Sequence, residues 1–162
     1  MSVRADEPRG SLLLQTRRHG ALLAERRATN MVLRGGATLI ANLFTGNQAG
    51  KPIDTIGVGF ATDTASAELT ALTPPPASAN IPPSALITAL TPASFQVVVD
   101  QANAIQVKIA ALFTPTKDLD NVTEAGILAG TALYNQVIFE PVSLRVGQDV
   151  TFFWQIDFPF GH

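Results

Sequence analysis

The clearest pattern lies near the end of the chain, where Phe152, Trp154, Ile156 and Phe158 alternate with Thr151, Phe153, Gln155 and Asp157. A period of two sets one apolar row on a single strand face. Residues 133 to 139 read as its partner strand, with Pro141 and the Arg145-Val146-Gly147-Gln148 turn reversing the chain. Aromatic alternation of this kind is ordinarily packing, so this pair is expected to be the densest part of the core. Further strands are expected at 55 to 61, 85 to 90, 94 to 99 and 104 to 113. In the last of these Ile105, Val107 and Ile109 alternate with Gln106 and Lys108, after a turn at Asp100-Gln101-Ala102-Asn103. A seventh strand is expected at Met31 or Ala125.

Only residues 37 to 44 read as a substantial helix. Leu39, Ile40, Leu43 and Phe44 fall at i, i+1, i+4 and i+5, one apolar face, and Gly46 is placed to end it. The fold class expected is mainly β: an antiparallel β-sandwich or jelly-roll-like body with one short α-helix, spanning 31 to 162.

Residues 1 to 30 carry no sustained helical period and are expected to form an extended N-terminal arm. Charge separates arm from body. Up to Arg34 there are seven arginines, Arg4, Arg9, Arg17, Arg18, Arg26, Arg27 and Arg34, against Asp6, Glu7 and Glu25, a net of +4. The remaining residues hold four basic and ten acidic side chains, a net of −6, which together give the −2 of the whole chain. Guanidinium groups favour bidentate pairing with carboxylates, so an arm laid across the acidic body of a neighbouring copy is the leading reading. A solvated tail and a nucleic-acid-binding arm are the alternatives; the second is disfavoured by the acidic body and the lack of interleaved aromatics.

Composition narrows the chemistry. Of the 162 residues 46% are hydrophobic and 15% charged, against about 25% charged in an ordinary soluble chain. So neutral a surface suits a protein packed against neighbours. The absence of cysteine excludes disulfides, thiolate catalysis and cysteine-bound metals. No apolar run is long enough to span a membrane and no signal peptide is expected.

Gly46 to Pro52 resembles a phosphate-binding loop only superficially. Three residues separate its glycines, Pro52 stands where Ser or Thr would hold magnesium, and a helix precedes it. Gly57-Val58-Gly59 lacks the third glycine of a dinucleotide fingerprint. His19 and His162 stand apart from any framed site, so no catalytic residue and no cofactor are assigned. The one candidate for a metal is the cluster Asp118, Asp120, Asn121 and Glu124, which could offer oxygens to calcium, although turns are rich in Asp and Asn for backbone reasons. The proline-rich loop 72 to 84, with Pro74, Pro75, Pro76, Pro82 and Pro83, is expected to be extended and to touch a neighbouring copy; an SH3-type ligand is the minor alternative.

A sequence of short motifs then comes into view: Asn30-x-Val32 and a Gly-led helix ending Leu43-Phe44-x-Gly46, Ile56-Gly57-Val58-Gly59, Glu124-Ala125-Gly126-Ile127-Leu128, Leu133-Tyr134-Asn135-Gln136-Val137-Ile138-Phe139, and Phe153-Trp154-Gln155-Ile156-Asp157-Phe158. Over residues 30 to 158 this order resembles a group of small structural proteins of tailed bacteriophages. Gln136 stands where that group commonly has Arg, Ile127-Leu128 replaces Leu-Phe, and the proline-rich insert is unusual. The resemblance implies a virion component without catalytic residues or cofactor, assembled in many identical copies in the host cytoplasm, with other virion proteins and copies of itself as partners and neither nucleic acid nor membrane bound directly. A tail, baseplate or neck position is preferred to a capsid-surface cement protein. A carbohydrate- or receptor-binding module, with Tyr134, Trp154 or Phe153 stacking on sugar, is the alternative of another class.

Overall fold

The structure, a computed structural model, describes residues 9 to 46, 51 to 63, 66 to 100 and 103 to 160, the side chains of Arg9 and Asp100 excepted. Its first element overturns the expectation of an arm. In β1 (Arg9–Arg18) Leu12, Leu14 and Thr16 are buried, while the residues between them are more exposed. The run Ser11-Leu12-Leu13-Leu14-Gln15-Thr16 therefore has a strand's period of two. β1 turns through His19 and Gly20, both at positive φ (50° and 81°), into β2 (Ala21–Val32). Two central residues at positive φ give a hairpin turn whose twist matches the strands it joins. A register shift at Thr16/Arg17 leaves one extra residue in β2.

The helix α1 (Arg34–Phe44) follows at once. It begins three residues before its expected start because Gly36, lacking a Cβ, lets the first turn lie directly on the Tyr134 backbone. Leu39 is buried and Ile40 half-buried, but Leu43 and Phe44 are exposed, so the apolar face is only partly used. The remaining strands are β3 (Thr55–Gly59), β4 (Ile87–Ala89), β5 (Phe95–Asp100), β6 (Ala104–Phe113), β7 (Leu119–Ala129), β8 (Ala132–Leu133), β9 (Asn135–Leu144) and β10 (Asp149–Pro159). Short 3-10 turns precede β4 and β5.

The strands form one curled antiparallel sheet, a half-barrel, in the order β4-β3-β7-β9-β2-β1-β10-β6-β5, with β8 paired to β7. The expected pairing of 133 to 139 with the C-terminal strand does not occur. The β1–β2 ribbon is inserted between β9 and β10, so that β10 pairs with β1 on one side and β6 on the other. The turn at residues 145 to 148 is present, with the Gln148 amide donating to the Arg145 carbonyl at 3.1 Å. Pro141 does not reverse the chain; it lies inside β9. There the register against β7 breaks, as a proline in a strand favours a bulge. Arg26 donates to the carbonyls of Glu140 (2.9 Å) and Pro141 (2.7 Å), taking over acceptors where β2 and β9 have parted.

The alternation of residues 152 to 156 is realised. Phe152, Trp154 and Ile156 face inward, and the row Ala28, Leu12, Trp154, Ile109, Phe95 crosses five strands. Phe113 meets Phe152 edge to face, ring centroids 6.1 Å apart. Helix α1 covers part of this inner face, where Leu39, Ile40 and Leu43 with Val107, Ile109, Ile156 and Phe158 bound an apolar cleft of about 170 Å³.

Candidate functional site

Three places deserve comparison: the loop fastened by Glu124, a groove on the outer sheet face, and the two edges of the sheet. Glu124, on β7, is fully buried. Its carboxyl oxygens accept from the amides of Ala61 (3.1 Å) and Thr73 (3.1 Å) and from Gln136 Nε2 (2.9 Å). Thr123 Oγ1 donates to the Ala61 carbonyl at 2.6 Å and the Phe60 amide to the Thr73 carbonyl at 3.0 Å. Ala61 and Thr73, at the start and near the middle of the long segment between β3 and β4, are thus tied together at one buried carboxyl group. A buried polar group needs such partners, and here two come from loop backbone and the third from the Gln136 side chain on β9.

Glycine makes room for this arrangement. A Cβ on Gly59 would stand 2.7 Å from Glu124 Oε2, and one on Gly126 would stand 2.6 Å from the Asn135 carbonyl oxygen. Gly57 and Gly126 are direct register partners, and Leu72 lies over both. The proline-rich loop is therefore packed on the body. Pro74, Pro75, Pro76 and Pro83 line a cleft of about 440 Å³ with Leu72 and Ile81, and Pro82 caps the 3-10 turn before β4.

The proposed oxygen cluster does not converge. Asp118 and Asp120 are exposed and both approach Arg145, at 3.9 Å and 2.6 Å. Asn121 adopts positive φ where the β7 register shifts, and Glu124 is occupied with the loop. Among the described residues no group of three or more acidic or imidazole side chains is placed to hold a metal ion.

Of the arginines expected to reach a neighbour, three bond within the fold. Arg17 donates to the Gly20 carbonyl, Arg26 to β9, and Arg27 pairs with Glu25 at 3.0 Å. Gln15, 2.8 Å away, and then Arg27 hold the Glu25 carboxyl below its ordinary pKa. Arg18 is exposed beside the turn, Arg9 begins β1, and Arg4 lies outside the described residues.

Of the three aromatics considered for stacking, Trp154 and Tyr134 are buried. Phe153 alone is accessible, at 43%. It sits in an outer-face groove of about 990 Å³ with Leu13, Arg27, Lys108 and Gln155. Burial pushes the Tyr134 hydroxyl above its usual pKa of about 10, and its oxygen has no hydrogen-bond partner among the described residues.

The sheet edges differ. β4 is three residues long, and its central residue Thr88 donates through Oγ1 to the Leu112 carbonyl of β6. β5 is six residues long, pairs among the described residues only with β6, and exposes Val97 at 67% and Val99 at 71%. Sequence reading placed β5 but missed this feature, because nothing in Phe95-Gln96-Val97-Val98-Val99-Asp100 marks it as an edge. Among the described residues no helix is long and apolar enough to cross a membrane. Comparison with protein-family models, curated proteins and solved structures finds no match for this chain.

Proposed function

We propose that the chain is a structural component of a tailed-bacteriophage virion, assembled in many copies in the tail, baseplate or neck region. The observation that carries this reading is the meeting of Gly57, Gly59, Glu124 and Gly126 around Leu72. Residues from two motifs far apart in sequence form one interlocked unit, and the motif order acquires a physical reason: a loop must be seated on β3 and β7. Neighbour contacts fall on the surface prolines Pro74, Pro76, Pro82 and Pro83 and on the bare β5 edge rather than on the arginines of β1 and β2. On this reading a sandwich- or jelly-roll-like body arises only when a neighbour completes the half-barrel.

The test is sedimentation of the full chain after mixing with purified tail tubes and, separately, with empty capsids. Pelleting with tail tubes is the expected result. Pelleting with capsids alone would favour the cement reading, and remaining in the supernatant with both would overturn a virion role.

A further inference from the structure

We infer that β5 pairs with β5 of a second copy, antiparallel about a two-fold axis at Val98. An edge strand offers unpaired backbone donors and acceptors to any other strand, and natural proteins protect such edges with Lys, Pro, bulges or a covering element. β5 has none of these within it, and among the described residues it pairs on one side only.

Register follows from what the edge presents. Val97 and Val99 share the inner face with their ladder partners Val107 and Ile105, and both are largely exposed. Centring the axis on Val98 sets Val97 of each copy opposite Val99 of the other, so the two exposed valines cover each other twice. The same register brings the position of Asp100 beside that of Gln96 in the other copy, and the ladder partner of Gln96 is Lys108. Acidic and basic positions then lie on one row, whereas a parallel arrangement would bring the two Asp100 positions together. Charge complementarity thus selects an antiparallel second copy as the occupant. A single strand pair buries less than a standard stable interface, which suits one contact among several in an assembly.

The inference rests on the assembly reading for its biological meaning, but its test needs no particle. The chain has no cysteine, so Val98→Cys introduces one thiol. Paired antiparallel Cα atoms stand about 4.5–5.5 Å apart, within the range a disulfide spans. Mild oxidation of Val98→Cys should give a disulfide-linked dimer, readily reversed by reductant. Val146→Cys, exposed on the turn between β9 and β10, serves as the collision control, and circular dichroism confirms that each variant is folded. Selective cross-linking at Val98 supports the inference. Equal cross-linking of both variants, or none at Val98 in folded protein, overturns it. If cross-linking fails while the wild type still pellets with tail tubes, the virion role stands and only this contact is lost; the converse result removes the virion role and keeps the contact.

Discussion

The two ends of the sheet are finished in opposite ways. On the β3 side the chain covers its own surface: the segment after β3 is tied down by Glu124, Leu72 lies over Gly57 and Gly126, and the terminal strand β4 is only three residues long. On the β5 side a six-residue strand ends the sheet with two exposed valines and no cover among the described residues. The chain seats a long loop on the sheet face beside one edge and leaves the other edge bare, and the bare edge is where the second copy inferred above would pair. Covering an edge prevents unwanted pairing, and leaving one bare invites a chosen one.

The largest effect tests what holds both ends together. Deleting residues 1 to 29 removes β1 and most of β2 from between β9 and β10, so the remainder should show no cooperative thermal transition by circular dichroism. A folded truncation would mean that the ribbon is dispensable after all.

Next comes the fastened end. Glu124→Ala leaves two loop amides and the Gln136 side chain without their acceptor, and should cost about 3–5 kcal/mol in urea unfolding. Limited proteolysis should then cut first between residues 61 and 73. An unchanged midpoint would show that the loop is not held by this group.

At the open end, Val97→Lys with Val99→Lys places charge at positions already exposed. Stability should change by no more than about 0.5 kcal/mol, while self-association in sedimentation velocity is lost. The contrast with Glu124→Ala sharpens the comparison, since one end would carry stability and the other association. A large destabilisation by the lysine pair would erase that distinction.

The smallest effect is at Tyr134. Burial raises its pKa above that of the unfolded chain, so its contribution to stability is complete below pH of about 10 and is lost as pH rises through the higher folded value. Tyr134→Phe removes a hydroxyl without a partner and should be neutral or stabilising by about 1 kcal/mol at neutral pH. Its unfolding midpoint should also fall less steeply in alkaline solution than that of the wild type.

Much of the sheet is legible in the sequence where residues alternate cleanly. β6 runs over residues 104 to 113 as expected, and Phe152, Trp154 and Ile156 face the core. The N-terminal ribbon is not, because its arginines suggest an arm while its inward row is short, Leu12, Leu14 and Thr16 in β1 with the small Ala24 and Ala28 in β2. Strand order is illegible for a different reason: alternation reports which face is buried and says nothing of which strand lies alongside. Glu124 could be read as a ligand from spacing alone, since its true partners, Ala61 and Thr73, are 63 and 51 residues away in sequence. The bare edge of β5 is a property of the whole sheet, invisible in any local stretch.

Hydrogen exchange followed across a dilution series of the full chain tests the central contrast most directly. The amides of Ala61 and Thr73 should be protected equally at every concentration, while amides within residues 95 to 100 should gain protection as concentration rises. Protection in β5 that is independent of concentration, or loop amides that exchange freely, would contradict the account of one edge closed by its own chain and the other by a second copy.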